Sequence, residues 1–185
     1  MGLVDSVKSA GLFAKIALLL IIIANFFNLI IFTTTSWGIV NAATGNDAHV
    51  GLWRRCSKLT TGCNDLDGYA NEWVGAVQAF AIFGFVGINV ACLLIVLYIF
   101  WDSCKSNKEV GMAASIICFV TAGCWLLAVI IFGAEFEDDP NVSGSDDELG
   151  YSFGLAIVAL LLEAIGGVLL LLEVLKGSSG TSPSS

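Results

Sequence analysis

Side chains able to do chemistry are few in this sequence, and they fall in separate places. One histidine, His49, and only eight Lys and Arg leave little for a His-based catalytic or metal site, or for gripping a nucleic-acid backbone. Six cysteines are present: Cys92, Cys118 and Cys124 lie within apolar runs, Cys104 lies just past the end of one, and Cys56 and Cys63 share a polar segment. In an oxidising compartment that last pair joins as a disulfide; the alternative is two unbonded loop thiols. Cys104, three residues after Trp101, is a candidate for S-palmitoylation, with a free thiol as the plain alternative. Asn141-Val142-Ser143 is the single N-glycosylation sequon, about nine residues from either flanking apolar run. Glu135, Glu137, Asp138, Asp139, Asp146, Asp147 and Glu148 form an acidic segment with no basic residue, and it carries nearly all of the net charge of −8. Within a Debye length of about 8 Å, the patch at Asp138, Asp139, Asp146, Asp147 and Glu148 attracts cations and repels anions, unless it is simply a solvated loop. It lacks the Asp-x-Asx-x-Asx-Gly spacing of an EF-hand, and no metal or cofactor is expected.

The elements that hold these groups must be membrane spans. Of 185 residues, 57% are hydrophobic and 13% charged, and the mean hydropathy is +0.86. Soluble domains run at about 45–50% apolar and about 25% charged. Four runs, at about 12–34, 74–100, 110–132 and 151–175, are each long enough for a hydrocarbon core about 30 Å thick. Backbone facing lipid must satisfy its own hydrogen bonds, so all four are helices. The first is expected to stay as a span, because it is too long for a signal-peptide core and no small-x-small site follows it. One four-span domain over 1–185 results, with loops at 36–73 and 133–150, a tight turn at 101–109 and a tail at 176–185. Lys8, Lys15, Lys105, Lys108 and Lys176 fall on the side of the termini, against Arg54, Arg55 and Lys58 on the other. That majority points to both termini cytoplasmic and the two long loops outside, and the chain is expected in the plasma membrane.

Two polar features lie inside the spans. Asn25 and Asn28, three apart, share a helix face. Glu163 lies midway along the fourth span, at an insertion cost of roughly 2.5–3.5 kcal/mol. The thirteen Leu, Ile, Val and Phe from Phe153 to Leu172 outweigh it at roughly −5 kcal/mol. Glu163 is therefore expected to face the bundle, protonated or bonded to an Asn such as Asn25 or Asn28. Small residues at spacings of four (Gly75 with Ala79, Gly87 with Ala91, and Ala114, Cys118, Ala122) supply expected helix-packing seams. A four-span membrane enzyme of the glutathione-transferase type would need Arg or His within the spans, and none is there.

The first long loop carries the most specific pattern: Trp37, then Gly51-Leu52-Trp53-Arg54-Arg55-Cys56, then Cys63. Val50, Leu52 and Arg54 alternate with Gly51, Trp53 and Arg55, as in an edge strand, and Thr60-Thr61-Gly62 supplies turn chemistry before Cys63. A disulfide there cross-links two strands, and Trp37 and Trp53 are the large apolar bodies able to anchor the sheet at the membrane surface.

Trp37, Gly51-Leu52-Trp53, Cys56 and Cys63, in the first outer loop of a four-span chain, resemble the signature of the claudin superfamily, which also holds the peripheral myelin and epithelial membrane proteins, the lens membrane intrinsic protein and the gamma-type channel auxiliary subunits. The resemblance implies an all-α, left-handed four-helix bundle topped by a small antiparallel extracellular β-sheet, with one strand from the second loop. It implies a non-enzymatic protein of cell–cell adhesion, epithelial barriers or paracellular ion selection, sited at cell junctions, or alternatively an auxiliary subunit of an ion channel. Its expected partners are membrane lipid and either a second copy, in cis or trans, or another membrane protein such as a channel. Asn71-Glu72-Trp73 and Gln78, where claudins usually carry Arg, look closer to the peripheral myelin and epithelial membrane branch, whereas Arg54 is similar to the gamma-type subunits and the lens protein. The tail Ser182-Pro183-Ser184-Ser185 lacks the apolar terminal residue expected of a PDZ ligand.

Overall fold

The computed structural model describes residues 8, 10–41, 47–57, 62–68, 71–136, 138 and 146–179. Asp139, the sequon at Asn141, the Thr60-Thr61 turn and the Ser182–Ser185 tail lie outside the described residues.

Four helices form where the apolar runs are: α1 (Leu12–Thr33), α2 (Glu72–Phe100), α3 (Lys108–Glu135) and α4 (Tyr151–Ser179). The shortest, at 22 residues, spans about 33 Å, which covers a hydrocarbon core. Side chains point outward around most of each helix, and Leu19, Phe26, Phe83, Leu93, Val120, Ile130 and Leu161 are all exposed. Exposure of large apolar groups on this scale is tolerable only where lipid is the solvent. In cross-section α1 touches α2 and α4, and α3 touches the same two; α1 and α2 touch least. Between α2 and α3 the chain turns tightly. Asn107 caps α3 by accepting from the Glu109 and Val110 amides at 2.8 and 3.4 Å, and Ser106 takes a φ of 54°.

Five short strands cover one end of the bundle: β1 (Gly38–Asn41), β2 (Ala48–Val50), β3 (Arg54–Ser57), β4 (Cys63–Asp65) and β5 (Asp146–Leu149). They form one antiparallel sheet in the order β4-β3-β2-β1-β5, so the strand before α4 closes the sheet beside the first strand after α1. Gly38, Val40, Ala48 and Val50 are buried toward the bundle, while Ile39 and His49 are half-buried on the opposite face.

Two expectations change here. The alternation over Val50–Arg55 is a hairpin turn and not one edge strand: β2 ends at Val50, and the Gly51 amide donates to the Arg54 carbonyl at 2.9 Å. The chain has to bend because it reaches the end of α1, where a Cβ on Gly51 would lie 2.5 Å from the Thr34 carbonyl oxygen and 2.6 Å from the Thr35 Cα. Gly75 with Ala79 is not a helix seam either. Ala79 is exposed, and Gly75 packs under the Gly68 carbonyl of the loop before α2, which brings that loop down onto the helix. The other seams hold: Gly87 faces Thr121, and Ala91, Ala114, Cys118 and Ala122 are buried.

Candidate interaction surface

The signature residues act first on the end of α1. A helix leaves its last four carbonyls without intrahelical partners. In α1, the Ile30 carbonyl takes the Thr34 amide, Ile31 takes the Trp37 indole Nε1–H at 3.0 Å, and Phe32 takes the Trp53 indole at 2.7 Å. Trp37 is fully buried, with Trp125, Phe132 and Phe153 within 5.2–6.3 Å of its ring, and Trp53 stands edge-on to Phe32 at 5.0 Å. Each tryptophan joins an apolar body to a polar tip and satisfies a helix end that would otherwise be costly beside a membrane. Leu52 is buried in the same turn.

Further bonds lock the sheet to the other helices. Gln78 on α2 donates to the Leu52 carbonyl at 2.8 Å and the Leu66 carbonyl at 3.3 Å. The Ser152 hydroxyl at the start of α4 bonds the Thr34 hydroxyl at 2.7 Å, and the Gly150 and Ser152 amides donate to the Trp37 and Ser36 carbonyls. Cys56 on β3 is disulfide-bonded to Cys63, its register partner on β4. On the face turned away from the bundle the register aligns Glu148, Ile39, His49 and that disulfide in one row. The sheet is thus a plate bonded at three helix ends. Arg54 and Asp65, both largely exposed, form an ion pair at 2.9 Å on its β3–β4 edge. Pairs so exposed hold little energy.

The acidic segment splits in two. Asp138 is exposed just past α3, whereas Asp146, Asp147 and Glu148 lie on the edge strand β5, with Glu148 exposed. Inside the bundle Asn28 and Glu163 meet: both are fully buried, and Asn28 Nδ2 donates to Glu163 Oε1 across α1 and α4. Asn25, although on a neighbouring position, goes elsewhere and donates to Asn89 Oδ1 on α2 at 3.2 Å. Cys92, Cys104, Cys118 and Cys124 are free thiols, and among the described residues no His, Cys, Asp or Glu cluster could hold a metal ion.

The sequence model of the PMP-22/EMP/MP20/Claudin family matches residues 12–170. The chain belongs to this family. It is similar to human epithelial membrane protein 1, 28% identical over 144 residues that cover 77% of this chain and 87% of the relative. The rat protein of that name is 22% identical over 142 residues, covering 76% and 86%. A PMP-22/claudin-type protein is a structural membrane protein and not an enzyme, and this one is a multi-pass protein with four apolar helices. The matched residues take in α1, α2, α3, the sheet, the disulfide-bearing loop and most of α4.

Several contacts of this claudin-type plate were invisible in the sequence. Gln78 stood out only as a departure from the usual Arg, yet it is the α2 anchor of the Gly51-Leu52-Trp53 turn. Ser152 and Thr34 meet across 118 positions of chain, and no local pattern marks either. Asn89 carries no local signal, because one Asn in an apolar run has no periodic partner; its partner, Asn25, lies 64 positions away.

Proposed function

We propose that this protein works through extracellular and lateral protein contacts, in cell–cell adhesion, an epithelial barrier or paracellular ion selection. The supporting observation is the bonded plate: Trp37, Trp53, Gln78 and Ser152 hold the five strands to three helix ends, so the exposed face is a preorganised surface and not a mobile loop. In this reading the sheet is outside the cell, both termini are cytoplasmic, and the acidic strand β5 with Asp138 biases the space before it toward cations. Cys104 as a palmitoyl site and Asn141 as a glycan site belong to the same orientation.

The test is expression of the chain alone in cells that lack junctions. It should gather where two expressing cells touch. Trp53→Ala should abolish the gathering by freeing the turn from the Phe32 carbonyl, while the Cys56–Cys63 bond still forms. Across a monolayer, changing Asp138, Asp139, Asp146 and Asp147 to Asn should lower any preference for cations over anions, as should added salt. Diffuse distribution at every contact, with unchanged monolayer permeability, would reject the reading and leave channel modulation to be tested by co-purification.

A further inference from the structure

The lipid-facing edge where α1 and α2 meet carries a polar pair in the wrong place for a monomer. Asn25 is half-exposed and Asn89 is exposed. Asn25 is eight residues, about 12 Å, from the sheet end of α1, and Asn89 is eleven residues, about 16 Å, from the far end of α2. Both are therefore deep in hydrocarbon, where unsatisfied polar groups are costly. Asn25 Nδ2 donates to Asn89 Oδ1, and Asn89 Nδ2 donates to its own Phe85 carbonyl at 2.6 Å. Among the described residues that leaves Asn25 Oδ1 as a free acceptor and one N–H on each amide as a free donor. On either side of each Asn, three before and four after, stands an exposed aliphatic residue: Ile22 and Leu29 on α1, Val86 and Leu93 on α2. The edge is also the seam where neighbouring helices touch least.

We propose that this edge is a lateral interface between two copies of this chain, paired by their Asn25 and Asn89 amides. A second copy fits because the free groups are self-complementary. Under a two-fold axis the spare Asn89 N–H of one copy donates to Asn25 Oδ1 of its partner, and the reverse bond forms by symmetry. Such reciprocity is what an isologous contact requires. The flanking aliphatic residues then supply the dispersion contacts that hold helices together in lipid, where interhelical hydrogen bonds are worth most when the alternative is an empty amide. The inference gives the lateral half of the proposed function a surface and a partner, and it does not depend on the sheet being adhesive.

Purified full-length chain, labelled with donor or acceptor dye and reconstituted at high dilution in phosphatidylcholine vesicles, reads the association by energy transfer. Transfer should exceed the random-collision level and fall with dilution as a dimer does. Asn25→Leu or Asn89→Leu should each weaken association about tenfold, and the double variant little further, because each single change already removes both symmetric bonds. Leu161→Ala, on the lipid face of α4, should leave it unchanged. Intact Cys56–Cys63 bonding and a single cooperative unfolding transition show that the variants fold. Collision-level transfer in the unmodified chain, or undiminished transfer in the double variant, overturns the proposal. Gathering at cell contacts, scored separately on Asn89→Leu, tells failure of this interface from failure of the adhesive reading.

Discussion

The sheet-side half of the molecule and the half toward the termini are packed by different means. The sheet-side core is aromatic: Trp37, Trp125, Phe132 and Phe136 are buried, with Phe132 and Phe136 stacked at 5.0 Å, above which lie Val40, Ala48, Val50 and Leu52 of the sheet. The other core is small and aliphatic: Ala14, Ala17, Ala91, Ala114 and Cys118 are fully buried beside Ile21, Ile88, Ile95 and Leu170. The difference follows from solvent. Beneath the sheet, apolar groups leave water, and each contributes the hydrophobic effect at roughly 25 cal/mol per Å². Between the far helix ends the alternative to a helix neighbour is lipid, as apolar as leucine, so only close packing and hydrogen bonds distinguish native from separated helices. Big rings suit the first situation, because they fill the gap between a twisted plate and splayed helix ends. Small residues suit the second, because they let backbones approach.

The largest effect should therefore come from Trp37→Ala. It opens a cavity in the aromatic core and strips the Ile31 carbonyl of its donor, together costing about 3–5 kcal/mol. Hydrogen exchange should rise across β1 and β2 while the far halves of α2 and α3 keep their protection. Ile88→Ala, equally buried but among helices, should cost less and leave the sheet protected. Equal losses at both sites, or loosening that spreads evenly through the molecule, would show the two halves to be one packing unit.

Glycines sharpen the contrast at the next level down. At the sheet junction a Cβ on Gly51 would strike backbone atoms of Thr34 and Thr35, which cannot move without shifting α1. At Gly166, among the helices, it would meet the Ile21 side chain at 2.9 Å, and that end can rotate. Gly51→Ala should cost about 1–3 kcal/mol or more, against less than about 1 kcal/mol for Gly166→Ala, read as shifts of the unfolding midpoint in detergent. A larger loss at Gly166 would mean that the helices, not the plate, are the tighter fit.

Legibility in the sequence follows the same division. The four spans were plain because lipid imposes a long, nearly continuous apolar run that nothing else in a short chain imitates. The disulfide pair and the two anchoring tryptophans were legible because they crowd into one polar loop. Strand boundaries were not. Val50–Arg55 alternates as a strand does, but the chain must turn at Gly51 to clear the end of α1, and that obstacle is tertiary. The partner of Asn25 was hidden for a similar reason: sharing a face with Asn28 says nothing about which neighbouring helix lies opposite, and one turn of helix sends the two amides to α2 and α4.

The smallest expected effect tests the boundary between the two cores, where Asn28 and Glu163 join α1 to α4. Among the described residues no cation pairs with this buried carboxyl, so its role is to accept the Asn28 amide. Glu163→Gln keeps an acceptor oxygen of nearly the same shape and should leave stability within about 0.5 kcal/mol. Glu163→Leu removes the acceptor and leaves the Asn28 amide empty, which should cost about 1–2 kcal/mol, near the range measured for interhelical bonds in membranes. Asn28→Leu with Glu163→Leu replaces both partners by apolar groups and should recover most of that loss, because no stranded polar group remains. Thermal unfolding of the four proteins in one detergent reads all three differences. If Gln behaves as badly as Leu, the carboxyl is needed as an acid and the bond to Asn28 is incidental. If the double variant is the worst of the set, the pair is a determinant of how α1 and α4 meet, and the two cores depend on it as a hinge and not merely as a satisfied seam.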